Sequence, residues 1–335
     1  MIREAISMVV NSEDLSQEEA ADVMNEIMSG DATPAQIACF ITALRLKGET
    51  VDEITGCARI MREKVTRIET EADLLVDTCG TGGDGAHTFN ISTTAALVGA
   101  GAGLHIAKHG NRSVSSKSGS ADVLKALGVN IEADAATVGK CVDEVGIGFL
   151  FAPMLHPAMK YAIGPRREIG IRTIFNILGP LTNPAGAKTQ VLGVYDPELV
   201  ETLAEVLKNL GSEHVFVVHG SDGLDEITIT DKTYVAELAD GQVRSFVIDP
   251  EDFGISKADK ESLVGGTAEE NAQITLDILK GEKGPKRDIV LLNSAATVMA
   301  GGLAANLIEG IQVAAESIDS GKALEKLELL KKASN

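Results

Sequence analysis

The sequence predicts an α/β protein: a small N-terminal all-helical domain, then a large α/β domain whose central mixed sheet is covered by helices. Three observations carry this. Residues 1–68 place apolar residues at helical spacing between capping signals. From Leu74 onward, short apolar runs alternate with helical patterns, the order of strands and covering helices in such sheets. Thirty-four glycines and only 3% aromatic residues suit an Ala/Gly-packed α/β interior better than a β-sandwich.

The elements follow in order. Ile2, Ala5, Ile6, Val9 and Val10 make a first amphipathic stripe. Ser16 with Glu19, Thr33 with Gln36 and Thr50 with Glu53 are capping boxes opening three more helices. Gly30 and Gly48 stop two of these, and Pro34 suits a first helical position. So small a helical layer buries little alone, so part of its face is expected between two copies of the chain. Ile2, Ile6 and Val9 belong either there or in the internal core. Strands are expected at 74–77, 104–107, 147–151, 190–195, 214–219, 226–230, 233–238 and 243–248. Late helices are announced by Thr267 with Glu270 and by the stretch 288–300. Between two strands, 164–188 holds Pro165, Pro180 and Pro184 beside Arg166, Arg167 and Arg172. An irregular connection that long usually has a function.

Composition bounds the function. At 335 residues and 44% hydrophobic, the chain can bury one large core and a smaller one. Cys39, Cys57, Cys79 and Cys141 show no metal-type pairing, which predicts reduced thiols and a cytoplasmic protein. The N-terminal apolar run is broken by Ser7, so no signal peptide is evident. The uncharged stretch 91–107 is too short and too rich in Gly, Ser and Thr to span a membrane. A net charge of −19 repels nucleic acid. Residues 108–188 nevertheless hold ten Lys and Arg against six Asp and Glu, so a small anion fits.

The run from Asp77 to Thr93 is the most informative segment. Four glycines in six residues (Gly80, Gly82, Gly83, Gly85) follow a strand and precede a helix, and let the backbone approach a ligand. Asn90-Ile91-Ser92-Thr93 puts capping side chains and free N–H groups at a helix start, a ready anion site. Gly80, Gly82 and Gly85 formally match the dinucleotide fingerprint. That motif expects an acid after the second strand, whereas here the basic Lys108-His109-Gly110-Asn111-Arg112 follows. No Gly-Lys-Ser/Thr follows the glycines, which excludes a P-loop. The second polar loop continues through Ser113, Val114, Ser115 and Ser116 to Ser120. Two neighbouring anion loops at strand ends suggest a ligand with two phosphate-bearing ends.

These motifs, with 151–159, 164–173, 176–184 and Gly223-Leu224-Asp225-Glu226, resemble in order those of the nucleoside phosphorylase-like phosphoribosyltransferases. Within them they resemble the anthranilate phosphoribosyltransferase family. The resemblance covers about residues 77–226. It implies a small helical domain of 1–70, completed by about 164–188, and a large domain of 71–163 and 189–335, with hinges near 70, 164 and 188. It implies transfer of a phosphoribosyl group from phosphoribosyl pyrophosphate to anthranilate, Mg²⁺ as cofactor and a homodimer.

The residue roles follow from that resemblance. Gly80, Gly83, Asp84, Thr88, Asn90, Ile91, Ser92, Thr93, Lys108, His109, Gly110, Asn111, Arg112, Ser113, Val114, Ser115, Ser116 and Ser120 are expected to hold the phosphoribosyl donor. Gly80, Asn111, Arg166, His109 and His156 are expected around anthranilate, with Arg166 on its carboxylate because a planar fork suits that group. His109 or His156 lines the acceptor or takes a proton late, with a packing role equally open. Arg167 and Arg172 are assigned to Glu168 or to helix ends. Ser92, Asp225 and Glu226 are expected at the Mg²⁺. Two rival readings are a pyrimidine nucleoside phosphorylase, disfavoured because Asp77-Thr78-Cys79 stands where Lys-His-Ser is usual, and a non-catalytic relative.

Overall fold

The computed structural model describes residues 1–113 and 117–335. Four helices open the chain: α1 (Ile2–Val10), α2 (Gln17–Ser29), α3 (Pro34–Lys47) and α4 (Val51–Lys64). The three predicted capping boxes all form. At the first, Ser16 N–H donates to Glu19 at 2.9 Å and Glu19 N–H donates to Ser16 Oγ at 3.3 Å. Thr33 with Gln36 and Thr50 with Glu53 repeat the exchange, satisfying N–H groups that a helix start leaves unpaired.

The rest of the chain runs β1 (Val76–Gly80), α5 (Ile91–Gly101), β2 (Ile106–Gly110), α6 (Ser120–Ala126), α7 (Ala135–Lys140), β3 (Ile147–Phe151), α8 (Ala152–Leu155), α9 (Lys160–Ile169) and α10 (Phe175–Leu178). It continues with β4 (Thr189–Gly193), α11 (Leu199–Asn209), β5 (His214–Gly220), β6 (Thr233–Ala239) and β7 (Gln242–Ile248). Helices α12 (Ala268–Leu279), α13 (Pro285–Ala300), α14 (Leu307–Asp319) and α15 (Lys322–Ser334) close it. Among the described residues, seven strands form one sheet in the order β3-β2-β1-β4-β5-β6-β7. The first five are parallel, and β6 and β7 are antiparallel additions. Chain direction across the sheet reverses between β1 and β4. In open α/β sheets, that point opens the ligand crevice at the carboxyl ends of the strands.

Strand alternation divides the core. Val191, Phe216 and Val218 face a cluster with α5, α13 and α14, whereas Leu192, Val215 and Val217 face α11 and the N-terminal helices. The helical bundle is thus continuous with one sheet face. Ile2, Ala5 and Val9 are buried in it, while Ile6 is half-buried and Val10 is exposed. Helix α9 packs on α2 and α3, and Phe175, Ile177, Leu178 and Leu181 join the same cluster. Arg62 of α4 fastens this return, donating to the carbonyls of Leu181 at 2.7 Å and Leu210 at 3.0 Å.

Two expectations need correction. The strands expected at 74–77 and 104–107 run instead from Val76 to Gly80 and from Ile106 to Gly110, so polar residues of both motifs lie inside the sheet. The stretch 226–230 is not a strand. Its backbone is bonded instead to side chains: Ile227 to Asn293, and Thr228 N–H to Thr233 Oγ1 at 3.0 Å.

Candidate active site

At the switch point, Gly80 and Gly193 end β1 and β4 as register partners. A Cβ on Gly193 would lie 1.7 Å from the Asp225 carbonyl oxygen, and one on Gly80 would lie 2.5 Å from Asp225 Oδ2. Only glycines admit the Asp225 turn onto the sheet edge. Beyond β1, Gly82, Gly83 and Gly85 adopt φ of 67°, 78° and 76°, a left-handed path that side chains resist. Gly82 N–H donates to Asp225 Oδ2 at 2.7 Å. The loop returns through a single bridge, Thr88 against Val264, with Gly265 N–H donating to the His87 carbonyl at 2.9 Å.

Helix α5 begins beside it. Its Ser92 N–H donates to Glu226 Oε1 at 3.1 Å, and the Ser92 carbonyl accepts from Thr78 Oγ1. Asn90 occupies the cap position, yet its side chain does not cap. It ties loops together, accepting from Asn271 Nδ2 at 3.0 Å and donating to the Ser118 carbonyl at 3.3 Å. Ile91 is core, and the Thr93 hydroxyl is buried without a partner among the described residues.

The charges here are unbalanced. Burial, then Asp84 and Glu226, push the Asp225 carboxyl well above the usual range. Burial lifts Glu226 to about 7 against the pull of Lys108. The Lys108 ammonium lies beneath them, donating to the Thr78 carbonyl, with its own pKa lowered by burial. Buried carboxylates facing one ammonium call for a further cation. Among the described residues, no three His, Cys, Asp or Glu side chains group to hold a metal. Two adjacent carboxyl groups, with Ser92 bonded to one of them, suit Mg²⁺, which takes one or two carboxylates and fills its sphere from phosphate and water. Asp225, Glu226 and the neighbouring Ser92 hydroxyl are oxygen donors of that kind.

A second group lies at the ends of β2 and β3. His109 and His156 face each other, Nε2 to Nε2, at 3.1 Å. Burial lowers His109 to about 3 and His156 to about 4, so both are neutral at pH 7 and poor proton acceptors. The Gly179 carbonyl pulls His109 the other way. Because both folded values lie below the ordinary 6.5, stability is fully present above that pH and is lost as pH falls towards 4. Denaturant midpoints at pH 7.5 and 5 should show this loss, and His156→Gln should flatten it by roughly 1–3 kcal/mol. Equal slopes in both proteins would refute burial of His156 as a neutral imidazole.

Other expected residues lie nearby with different partners. The ring of Phe151 sits 5.6 Å under the Arg112 guanidinium, which faces Asp122 and Glu132 at 3.7 Å each. Asn111 Oδ1 accepts from Arg112 N–H, and Ser120 Oγ donates to the Asn111 carbonyl at 3.2 Å. Ser113 N–H donates to Asp122, and Gly110 leaves no room for a Cβ beside Ser120 Oγ. Val114, Ser115 and Ser116 lie outside the described residues. Arg166 is half-buried over the Phe175 ring at 5.2 Å, and among the described residues it has no carboxylate partner.

Several participants escaped the sequence. Arg172 is not paired with Glu168. It stacks on Tyr195 at 4.2 Å and donates to the Gly83 carbonyl, joining the returning segment to the glycine loop. Asp77, buried in β1 with a pKa lifted to about 6 by burial, accepts from His109 N–H at 3.0 Å and Asn183 Nδ2 at 2.8 Å. An acid inside an otherwise apolar strand was the available signal. For Asn183, Gln190 and Asn271 there was none.

A helical bundle joined to a mixed sheet, with a glycine loop at its switch point, is the two-domain build of a glycosyltransferase. Residues 72–324 match the model of the glycosyl transferase family a/b domain, and residues 3–65 match that of its helical bundle domain. The chain belongs to the anthranilate phosphoribosyltransferase family. It is 58% identical over 328 residues to the anthranilate phosphoribosyltransferase of Acetivibrio thermocellus, covering 98% of this chain and 95% of the relative. The crystal structure of the Thermus thermophilus enzyme superposes with a TM-score of 0.94 at 44% identity, covering 98% of this chain and 99% of that one. The Saccharomyces cerevisiae enzyme in complex with PRPP (phosphoribosyl pyrophosphate) and Mg superposes with a TM-score of 0.90 at 30% identity, covering 99% and 97%.

Proposed function

We propose that this chain transfers the phosphoribosyl group of 5-phospho-α-D-ribose 1-diphosphate to the amine of anthranilate. The products are N-(5-phosphoribosyl)anthranilate and pyrophosphate, a step of tryptophan biosynthesis. The carrying observation is the half-buried Asp225–Glu226 turn seated on Gly80 and Gly193 against the glycine loop, in a chain of this family. Asp225, Glu226 and Ser92 would hold Mg²⁺, which supplies charge neutralisation on the departing pyrophosphate. The amides of the 80–85 loop and the α5 N-terminus orient the donor, as do Asn90 and the 108–120 loop. Lys108 steadies Glu226 from below. Arg166 takes the anthranilate carboxylate. An aryl amine is neutral at pH 7 and attacks C1 without a strong base, so the neutral His109–His156 pair serves as an uncharged wall for the acceptor.

The test mixes the pure protein with phosphoribosyl pyrophosphate, Mg²⁺ and anthranilate and follows anthranilate fluorescence. A fall that needs all three components is expected. Constant fluorescence together with phosphorolysis of a pyrimidine nucleoside would replace this reading with the phosphorylase one.

The same reading has 1–70, completed by about 164–188, move as one domain against 71–163 and 189–335, closing on substrates to exclude water from the oxocarbenium centre. It makes the chain a cytoplasmic homodimer through its N-terminal helices. Exposed Leu46 and Val10, on the packed helices α3 and α1, support that contact, and the four cysteines are free thiols. No helix among the described residues is long and apolar enough to cross a membrane. Small-angle scattering should give dimer mass, and compaction with donor, Mg²⁺ and an unreactive anthranilate analogue. Monomer mass at every concentration, without compaction, would remove both claims.

A further inference from the structure

The turn carrying Asp225 and Glu226 rests on the ends of β1 and β4 but pairs with no strand among the described residues, and the next residue is held by a side chain instead. Ile227 N–H donates to Asn293 Oδ1 at 2.9 Å, and Asn293 Nδ2 donates back to the Ile227 carbonyl at 2.8 Å. The amide's remaining donor goes to the Ile289 carbonyl at 2.9 Å, one turn back on α13. Asn293 is 2% exposed, with both donors and its acceptor in use. Its orientation is therefore locked, since a flipped amide would face donors with donors. On the other side of the turn, Asp222 Oδ2 accepts from Thr228 Oγ1 at 2.8 Å and from Thr230 Oγ1. Asp225 and Glu226 lie between these two clamps, so the turn that carries them is held on both sides.

We propose that Asn293 is a positioning residue that fixes the Asp225–Glu226 turn in the shape that receives the divalent cation. This rests on the metal reading given above. The side chain stands behind the turn, bonded to its backbone, and acts through Asp225 and Glu226.

The test uses the full chain and Mn²⁺ as probe, its binding in the presence of phosphoribosyl pyrophosphate read by electron paramagnetic resonance without anthranilate. Asn293→Ala should weaken Mn²⁺ binding by about 10–100-fold and leave the KM for anthranilate unchanged. Ser294→Ala removes a neighbouring buried hydroxyl that has no partner among the described residues, and should change neither. A lowered Tm in folded Asn293→Ala with wild-type Mn²⁺ affinity would overturn the proposal, leaving Asn293 a purely structural residue. Should Asn293→Ala not fold, Asn293→Asp serves, being nearly isosteric and still able to accept from Ile227. Its added negative charge would by itself tighten Mn²⁺, so weaker binding supports positioning, and equal or tighter binding overturns it. Failure of the metal reading looks different: the wild-type chain would then bind no Mn²⁺ with the donor, or Asp225→Asn would bind it as tightly as wild type.

Discussion

Asp225→Asn should lower kcat by roughly 10²–10³, the usual loss when a preorganised electrostatic group is removed from a reaction centre, while the fold persists. The amide retains an oxygen to accept from Gly82 N–H, and the Asp225 main chain still rests on Gly193. What disappears is the negative charge, which burial beside Asp84 and Glu226 already makes expensive to keep. In the double variant with Glu226→Gln, added Mg²⁺ should no longer accelerate turnover. The check is a Mg²⁺ titration of initial rate beside a thermal melt. Wild-type rate and Mg²⁺ response in the double variant would remove both carboxylates from the metal assignment.

Arg166→Ala should raise the KM for anthranilate by roughly 10- to 150-fold, the equivalent of one charge-assisted bond of about 1.5–3 kcal/mol. The KM for phosphoribosyl pyrophosphate should move little. The motive is a half-buried guanidinium whose pKa burial lowers, stacked on Phe175 and facing no carboxylate among the described residues. Arg166→Lys should recover only part of the loss, because an ammonium cannot grip a carboxylate with two parallel bonds. Equal changes in both KM values would assign Arg166 to the donor or to the packing of α9.

The sequence showed what lies locally along the chain. Capping boxes are written within four residues, and the glycine loop, the α5 start and the Asp225–Glu226 pair are contiguous motifs. The partners of those motifs were hidden because they lie far off in sequence. Asp77 meets Asn183 across 106 positions, Asn90 meets Asn271 across 181, and Ile227 meets Asn293 across 66. The strand expected at 226–230 failed for the same reason: its β-branched run is genuine, but a side-chain amide replaced the neighbouring strand. Arg172 was assigned to Glu168, the nearest acid in sequence, or to a helix end, whereas folding put an aromatic ring and a loop carbonyl within reach.

The seating of Asp225 on Gly193 also has a genetic consequence. Every missense change that a single base can make in a glycine codon introduces a Cβ, and at this position any Cβ would meet a carbonyl oxygen at 1.7 Å. At Gly82 a Cβ would find nothing within 4 Å, so only the left-handed backbone resists replacement there. Codon 193 therefore has no missense neighbour that leaves the Asp225 turn in place, and a lineage cannot leave this glycine by one amino-acid change and repair the turn later.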